Sequence, residues 1–591
     1  MSVDDPEPAK ARTLDGIAGS PGLAVGRAVV VSAKRAGVRR VHVERGDVHD
    51  ELARFDAAVA VAARALREVA EKVPRGRAES SILEAYVLMV EDETLRTDVE
   101  SRVRTELKCS EWALESAVSR MAEQLRSSSD SYLAERSHDI EFVGERILMA
   151  LAGQPRTPVL PDLGEPVIVV ARDLSPAETA SLSRDRVRAL VTEAGTRTNH
   201  TAILARAMEI PAVVGVRGLM EQVGTGDRLI VDGHRGRVII GPDEATVADA
   251  LARVERQKKV ARAMLVERDR AATTLCGVKV ELKANIELPA EAVAAVEHGA
   301  QGIGLYRTEF LFVDRTEPPT EDEQYDVYRH VLEAVSPRPV TLRTFDIGGD
   351  KFVTAFQVPS DMNPALGLRA VRLGLARPEL FSAQLRAMVR ASAHGPLGIM
   401  IPMIASVSEL RAVRALLDRA IADVDRDGHA RSASLPLGVM VEVPSAVIMA
   451  GELAREAAFL SIGTNDLVQY ALAVDRGSPN LAYLATPFDP AILRLIRAVV
   501  VAGDAAGSEV SVCGAMASDP VAAVLLIGLG VRALSLESAA IPSVKVAIGR
   551  FSVAEARQVA EGALSMATAG AVEELVKGSL AVRLSDLVEQ D

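Results

Sequence analysis

Two acidic side chains and two arginines in the second half of the chain each follow a short apolar run. Glu442 comes after "LGVMV" and Asp466 after "FLSIGTN", whereas Arg307 and Arg343 end "GLYR" and "VTLR". An arginine guanidinium binds a phosphate or a carboxylate through two parallel hydrogen bonds. Two carboxylates that leave positions for substrate oxygens and water suit Mg²⁺ better than Zn²⁺, which prefers histidine and cysteine. These residues predict a magnesium-assisted site for a small substrate that carries phosphate and carboxylate groups.

Two further residues extend this group. Arg476, in "AVDRG", adds a third positive charge. A thiol with the usual pKa of about 8.5 stays mostly protonated at pH 7, so Cys513 can deliver a proton to a substrate. A small buried filler is the alternative for a free cysteine. Ion pairs that only stabilise the strand ends are the alternative for the charged residues.

A histidine, His200, stands at the start of an apolar-periodic run in "TEAGTRTNHTAILARAMEIPAVVG". Small and hydroxyl residues precede it, which predicts that the imidazole lies in the first turn of a helix. The N-terminus of a helix offers free N–H groups and a partial positive charge, and both stabilise a phosphate. His200 is therefore a candidate nucleophile that carries a phosphoryl group. A histidine that merely caps its helix is the alternative.

Eight strand-like apolar runs, each followed by a helical pattern, organise the C-terminal half of the chain. Buried parallel strands that alternate with helices indicate a (β/α)8 barrel, in which polar residues at the carboxyl ends of the strands face the active site. The runs are "VELKANIE", "GIGLYRTEF", "PVTLRTFDIGG", "LGIMIPMI", "PLGVMVEVP", "AFLSIGTND", "EVSVCGAMA" and "RALSLE". Their ends carry Asn285, Arg307, Glu309, Arg343, Asp346, Glu442, Asn465, Asp466 and Cys513.

The N-terminal half predicts a small α/β domain into which helices are inserted. Short strands in "LDGIAGSPGLAVGRAVVV" are continued much later by "GEPVIVVARDL", "VRALVTEAG", "AVVGV" and a hairpin in "DRLIVDGHRGRVIIG". Between them, periodic segments rich in Ala, Glu, Arg and Leu indicate packed helices. We assign the α/β domain to residues 13–40 and 155–242, the helical subdomain to 41–154, a charged linker helix to 243–271 and the barrel to 272–575.

Composition indicates a soluble protein of the cytoplasm. The net charge of −13 is spread along 591 residues, which argues against nucleic acid or an anionic membrane as a partner. Three widely spaced cysteines lack the spacing of a disulfide framework or a metal site, so a reducing compartment is expected. The N-terminal segment does not have the pattern of a signal peptide, and apolar runs such as "VAAVLLIGLG" are too short for a bilayer.

Several segments together resemble enzyme I of the bacterial phosphoenolpyruvate:sugar phosphotransferase system, the phosphoenolpyruvate–protein phosphotransferase family. The barrel motifs of that family are similar to "GAQGIGLYRTEFLFVDR", "RTFDIGGDK", "NPALGLRAVR", "GVMVEVPSA" and "SIGTNDLVQYALAVDRG". Its phosphohistidine motif is similar to "TRTNHTAILARAMEIPAVVG", and its N-terminal strand to "SPGLAVG". These segments occur in the family's order over nearly the whole chain.

The resemblance implies a reaction cycle that starts the sugar phosphotransferase system. Phosphoenolpyruvate binds in the barrel with Mg²⁺ on Glu442 and Asp466. The residues that hold its phosphate and carboxylate are Arg307, Arg343, Arg369, Asn465, Asp466 and Arg476. The phosphoryl group passes to His200, and Cys513 protonates the remaining enolpyruvate to give pyruvate. The α/β domain then swings, and phospho-His200 meets the histidine phosphocarrier protein HPr on the inserted helices. Dimerisation through the barrel is also implied.

Four positions depart from the family pattern. Thr196 and Asn199 replace a glycine and a serine of the histidine loop, and both residue types can cap a helix. Ala515 replaces a glutamate two residues after Cys513, which puts turnover or substrate orientation in doubt. Tyr86 stands where histidine is common in the partner-binding segment, so the acceptor is either HPr or a specialised paralogue of it.

Three other functions compete with this interpretation. Pyruvate phosphate dikinase and phosphoenolpyruvate synthase share the phosphohistidine domain and the barrel, but they need an ATP-binding domain for which no phosphate loop exists here. A regulatory module that senses phosphoenolpyruvate without turnover would explain Ala515 and Tyr86. A metal-dependent aldolase or lyase would explain the barrel residues, yet it gives His200 and the helical insert no role.

Overall fold

The structure of the protein is a computed structural model in which two compact units divide the chain, residues 1–257 and 258–591. The described residues are 11–31, 38–70, 86–126, 131–153, 165–174, 182, 185–195, 200–208, 210–265, 268–312, 317–348, 363–475, 479–585 and 587. None of the helices in these ranges is long and apolar enough to cross a lipid bilayer.

The first unit contains an eight-stranded mixed sheet with the spatial order β1-β8-β7-β3-β4-β5-β6-β2. Its strands are β1 Arg12–Asp15, β2 Ile17–Ser20, β3 Leu23–Val31, β4 Val167–Ala171, β5 Val187–Thr192, β6 Ala212–Val214, β7 Arg228–Asp232 and β8 Arg237–Ile240. Strands β3 to β6 pair in parallel, and β7 and β8 form the expected antiparallel hairpin. All five residues of β4 are buried, which explains its uninterrupted apolar sequence.

A bundle of helices lies between β3 and β4 in sequence, as the periodicity predicts. Its helices are Val48–Ala70, 86–90, Glu93–Glu106, Ser110–Arg126 and Ser131–Leu151. Phe55, Leu114 and Ile147 are among the buried side chains of its core. Tyr86 is only 2% exposed, and its ring centroid lies 4.9 Å from that of Phe142. Tyr86 therefore packs inside the bundle, so any effect of this residue on a partner surface is indirect.

A long helix, Glu244–Leu265, follows the sheet. Asp243 precedes it, and its carboxylate accepts the backbone N–H of Thr246 at 2.7 Å, which caps the first turn. The helix ends at Leu265, before the expected end at residue 271, and residues 268–270 form a turn.

The second unit contains a closed barrel of eight parallel strands, as the eight apolar runs predict. The strands are β9 Glu281–Ile286, β10 Ile303–Arg307, β11 Val340–Arg343, β12 Leu397–Ile401, β13 Leu437–Val441, β14 Phe459–Ile462, β15 Glu509–Val512 and β16 Ala533–Glu537. Strand β16 pairs with β9 and closes the ring. Because every strand runs in the same direction, all carboxyl ends meet at one rim.

Helices alternate with these strands and cover the barrel. They span Glu291–Glu297, Glu321–Val335, Ala370–Ala376, Pro378–Ala391, Val407–Arg426, Pro444–Ile448, Ala450–Glu456, Thr464–Ala471, Pro490–Ala506, Pro520–Gly528, Ile541–Gly549, Val553–Ser565 and Ala569–Ser579. Capping boxes at Thr320, Ser406 and Ser552 start three of them, because each hydroxyl accepts a backbone N–H while a glutamate three residues on bonds back. These helices pack against the strands and so fix the positions of the residues at the strand ends.

Candidate active site

The carboxyl rim of the barrel gathers the strand-end residues that the sequence singles out. Arg307 ends β10 and Arg343 ends β11. Glu442 directly follows β13, and Cys513 directly follows β15. Asp466 lies in the first turn of Thr464–Ala471, the helix after β14. The barrel thus brings together residues that are up to about 200 positions apart in sequence.

Arg343 is the most enclosed of the arginines, with 6% of its surface exposed. Its guanidinium donates to Glu309, and Nη1 lies 3.3 Å from a carboxylate oxygen of Asp346. Burial alone lowers the pKa of Arg343, but the carboxylates of Glu309, Asp346, Glu442 and Asp466 outweigh it and raise the pKa. Arg343 is therefore a permanent positive charge whose place is set by acidic neighbours.

Arg369 is held by Asp346 and Tyr470. Its Nε and Nη2 donate to one carboxylate oxygen of Asp346 at 3.2 and 2.7 Å, and Nη1 donates to the Tyr470 hydroxyl at 3.1 Å. Tyr470 donates in turn to the carbonyl of Ala365 at 2.6 Å. Burial lowers the pKa of Arg369, but the charge and hydrogen bond of Asp346, together with Tyr470 and the charge of Asp466, outweigh it and raise the pKa. Asp346 therefore links Arg369 to Arg343.

Arg307 donates to Glu287 at the end of β9, and 30% of its side chain is exposed. Arg307 and Arg343 end neighbouring strands, β10 and β11, so their guanidinium groups lie on adjacent parts of the rim. The side chain of Arg307 is the more exposed of the two. Glu287, Glu309 and Asp346 thus act as supports for arginines. The structure brings Arg307, Arg343 and Arg369 to one rim, whereas Arg476 lies outside the described residues.

One oxygen of the buried Glu442 carboxylate lacks a partner among the described residues. Its Oε1 accepts the backbone N–H of Met403 at 2.7 Å, whereas no described residue makes a hydrogen bond to the buried Oε2. Met403 has a φ of +58°, an unusual conformation that aims its N–H at the carboxylate. Burial, followed by the charges of Asp466 and Asp346, raises the pKa of Glu442 well above its usual value. The orphaned oxygen and the crowded carboxylates fit a bound cation.

The charge balance of the rim points the same way. Among the strand-end residues described above, Glu287, Glu309, Asp346, Glu442 and Asp466 are acidic, and Arg307, Arg343 and Arg369 are basic. Among these described residues the acidic groups outnumber the basic ones, and carboxylates crowded together in this way favour a bound cation. No group of three or more His, Cys, Asp or Glu within the described ranges has the arrangement of a metal site. Two protein carboxylates with substrate and water as further ligands suit Mg²⁺.

Cys513 lies inside the barrel, 3% exposed, beside Leu305, Met400 and Met440. Its Sγ is 3.6 Å from the carbonyl oxygen of Ile462, which accepts the thiol hydrogen. Burial raises the pKa of Cys513 to about 11. The thiol therefore keeps its proton at neutral pH, a requirement for a proton donor.

The loop after Cys513 is held by an amide and by close backbone packing. Asn465 accepts the N–H of Ala515 at 3.0 Å, and Asn285 donates to the carbonyl of Cys513 at 3.2 Å. A Cβ built on Gly514 would lie 1.6 Å from the hydroxyl oxygen of Thr464. The side chain of Asn465 therefore helps to fix the conformation of the loop that follows Cys513.

Sequence reasoning missed Met403, Tyr470 and Thr464. Their signal is weak, since Met403 acts through its backbone and Tyr470 through a contact that the strand pattern does not reveal. Thr464, directly before Asn465 in the quoted motif, has a buried hydroxyl without a partner.

The helix His200–Ala207 begins at the histidine, as its sequence predicts. Thr192, the last residue of β5, donates its hydroxyl hydrogen to the carbonyl of Ala194 at 2.7 Å, which shapes the turn after that strand. Thr196 and Asn199 lie outside the described residues.

Comparison with known proteins decides the family. Three domain families of PEP-utilising enzymes match this chain: the N-terminal domain over residues 15–136, the mobile domain over 163–236 and the PEP-binding domain over 262–553. A phosphoenolpyruvate–protein phosphotransferase of Bacillus sp. is 40% identical over 96% of this chain and 98% of its own length. The chain belongs to the phosphoenolpyruvate–protein phosphotransferase family. The family membership sets aside the dikinase, aldolase and lyase alternatives.

Other members of the family are similarly close. The phosphoenolpyruvate–protein phosphotransferase of Haemophilus influenzae is 38% identical over 95% of this chain and 98% of its own length. A solution structure of Enzyme I covers 42% of this chain and 99% of that chain, with 37% identity and a TM-score of 0.35.

Proposed function

We propose that this protein takes the phosphoryl group of phosphoenolpyruvate onto His200, releases pyruvate and passes the group to HPr or a paralogue of HPr. This is the first step of the sugar phosphotransferase system, and we place it in the cytoplasm. The observation that carries the proposal is the buried pair Glu442 and Asp466 beside Arg343 and Arg369 on one barrel rim. Membership of the family supports the reaction type.

Substrate binding falls to the cationic side of the rim. Arg307, Arg343, Arg369 and Arg476, with Asn465 and Asp466, hold the phosphate and carboxylate of phosphoenolpyruvate. Carboxylates already orient the guanidinium groups of Arg343 and Arg369, so little side-chain freedom is lost when substrate binds. Oxygens of the substrate take the place of water around these groups.

Glu442 and Asp466 would hold Mg²⁺, and the free Oε2 of Glu442 supports this assignment. The cation supplies positive charge next to the phosphoryl oxygens. Gly463 keeps the space in front of Glu442 open, because a Cβ there would lie 2.7 Å from that Oε2.

The transfer itself joins phosphorus to an imidazole nitrogen of His200 and breaks its bond to the enol oxygen. Enolpyruvate leaves with that oxygen, and the Cys513 thiol gives a proton to the methylene carbon to form pyruvate. Solvent then returns a proton to the thiolate. The start of a helix at His200 supports the acceptor role, since the first N–H groups of a helix stabilise phosphoryl oxygens.

The remaining assignments extend the same proposal. Residues 13–40 and 155–242 form the swivelling phosphohistidine domain, and residues 41–154 form the HPr-binding subdomain. Residues 243–271 link them to the phosphoenolpyruvate-binding barrel at 272–575, through which the protein forms a homodimer.

Incubation of the protein with ³²P-labelled phosphoenolpyruvate and Mg²⁺ tests the proposal. We expect one acid-labile, base-stable label per chain, lost in His200→Ala and lost on chelation of the metal. Glu442→Gln should lower the labelling rate about a hundredfold or more, because a neutral amide binds Mg²⁺ much more weakly than a carboxylate and the positive charge beside the transferred group is lost with the cation. Glu452→Gln, which changes an exposed carboxylate in an i,i+3 pair with Arg455, is the matched control and should label normally.

Addition of purified HPr to the labelled protein then identifies the acceptor. Absence of any label on the wild-type chain would contradict the proposed enzyme and favour a module that senses phosphoenolpyruvate, the function that Ala515 suggests. A label that HPr cannot remove would replace HPr by another acceptor.

A further inference from the structure

A buried glutamine, Gln384, connects the two segments that hold Arg343. It lies on the helix Pro378–Ala391, and none of its surface is exposed. Its neighbours on the buried face of this helix include Leu385 and Met388. A primary amide in apolar surroundings is unfavourable unless its donors and its acceptor are bound, so the partners of Gln384 define its role.

The amide of Gln384 makes hydrogen bonds to three residues. Its Oε1 accepts the backbone N–H of Phe345 at 3.0 Å. Its Nε2 donates to the hydroxyl of Thr308 at 3.0 Å and to that of Tyr328 at 3.1 Å. Thr308 donates in turn to the backbone carbonyl of Arg343 at 2.7 Å. One side chain therefore ties the segment after β10 to the segment after β11.

Both segments carry an acidic residue that holds an arginine of the site. Glu309 and Asp346 each directly follow a residue that Gln384 binds, and both contact the Arg343 guanidinium. Asp346 also lies 2.7 Å from Nη2 of Arg369. A displacement of either segment therefore moves the guanidinium groups.

The partners of Gln384 require one side chain that both donates and accepts hydrogen bonds, which explains why an amide is present. Tyr328 donates its hydroxyl hydrogen to Gln324 at 3.0 Å, and Thr308 donates its own to a backbone carbonyl. Both hydroxyl oxygens therefore meet Gln384 as acceptors, whereas Phe345 offers an N–H donor. A carboxylate of the same length would place an oxygen against two oxygens whose hydrogens are donated elsewhere.

We propose that Gln384 is a positioning residue that sets the location of the Arg343 guanidinium for phosphoenolpyruvate. The proposal rests on the proposed function, because that function assigns Arg343 to the substrate. Loss of the amide releases the segments that carry Glu309 and Asp346, and the binding geometry is lost with them.

Binding of phosphoenolpyruvate to the full-length His200→Ala variant tests this role, because that variant binds substrate without accepting the phosphoryl group. Calorimetric titration in Mg²⁺ compares it with derivatives that also carry Gln384→Leu, Gln384→Glu or Thr308→Val. We expect the Kd to rise at least about tenfold in each, since small misplacements of binding groups have effects of this size. Gln384→Leu and Thr308→Val together should raise the Kd by less than the product of their separate effects, because the two substitutions share the hydrogen bond between Gln384 and Thr308.

Met388→Leu is the matched control, since it alters a buried residue one turn along the same helix without touching the network; its Kd should equal that of the parent. Thermal unfolding shows which variants are folded. If Gln384→Leu does not fold, the Kd of Thr308→Val tests the proposal. A Kd within twofold of the parent in a folded network variant, or an equal rise in Met388→Leu, overturns the positioning role. A wild-type chain that takes no label contradicts the proposed function instead, and a parent that binds no phosphoenolpyruvate overturns both.

Discussion

At the scale of single residues, the site consists of cations whose places are set by anions. Arg343 contacts Glu309 and Asp346, and Arg369 contacts Asp346 and Tyr470. Guanidinium groups fixed before substrate arrives lose less conformational freedom on binding, which is one source of affinity and of correct orientation. If the arginines bind substrate as proposed, Glu309 and Asp346 contribute to that binding by fixing the guanidinium groups.

Cys513 and Cys276 should differ sharply in reactivity near neutral pH, with Cys513 the slower of the two. Burial raises its pKa to about 11, so at pH 8 about one molecule in a thousand carries the reactive thiolate. Cys276 is exposed, and its pKa is lowered by the hydroxyl of Thr274 and by the N–H of Val553. Iodoacetamide at pH 8 should modify Cys276 at least about a hundredfold faster, as peptide mass spectrometry measures.

The direction in which the pKa of Cys513 is shifted bears on its proposed role as a proton donor. A raised pKa means that Cys513 keeps its proton as the pH rises from 7 to 9, so its role should not limit activity in that range. Protein unfolded in urea, where all three thiols are equally open, is the control. Comparable modification of Cys513 and Cys276 in the native protein would show that the thiol is not buried as described.

At the scale of elements, the ends of β14 and β15 approach without room for a side chain between them. Gly514 follows Cys513, and Thr464 begins the helix that carries Asp466. Their close contact couples the loop of the proposed proton donor to the helix of a proposed metal-binding carboxylate.

Gly514→Ala should slow the labelling of His200 about tenfold or more. Its Cβ would lie 1.6 Å from the Thr464 hydroxyl oxygen, so one of the two segments must move. Gly451→Ala is the matched control, because nothing lies within 4 Å of a Cβ at that helical position. The control should label normally and gain about 0.5–1 kcal/mol of stability from the better helix former. Equal labelling rates in the two variants would contradict the coupling of the loops.

At the scale of the whole molecule, the chain consists of two compact units with separate hydrophobic cores. The proposed acceptor, His200, belongs to the first unit, and the proposed substrate site belongs to the second. The proposed transfer therefore joins a nucleophile of one unit to a substrate that the other unit binds.

Scanning calorimetry of the His200→Ala variant should show two unfolding transitions, of which phosphoenolpyruvate with Mg²⁺ raises one. Ligand at 100 times its Kd stabilises the unit that binds it by about 2.7 kcal/mol, which corresponds to about 4 °C for a unit of this size. The shifted transition should be that of residues 258–591. A shift confined to the transition of residues 1–257 would contradict the proposed substrate site in the barrel.

Much of the barrel and its site residues could be predicted from sequence. Apolar runs such as "LGVMV" and "FLSI" are short, continuous and bounded by polar residues, as buried parallel strands require. Their order places the following residues, Glu442 and Asp466 among them, on one rim whatever the remaining contacts are. The start of the helix at His200 is equally local, since a helix N-terminus depends on residues within one turn.

The partners of the site residues depended on tertiary structure alone. Gln384 binds segments that lie 39 and 76 residues away, and its place in an otherwise apolar helix face gives no sign of them. The raised pKa of Cys513 follows from the closed barrel, since Leu305, Met400 and Met440 of three different strands surround the thiol and keep water away from it. The resemblance places Tyr86 in the partner-binding segment, and only the structure shows that its side chain is buried in the helical bundle, because periodicity indicates an apolar face but not which residues finally cover it. Sequence determined the kinds of groups and the rim that carries them, whereas contacts between distant segments decided which charges meet.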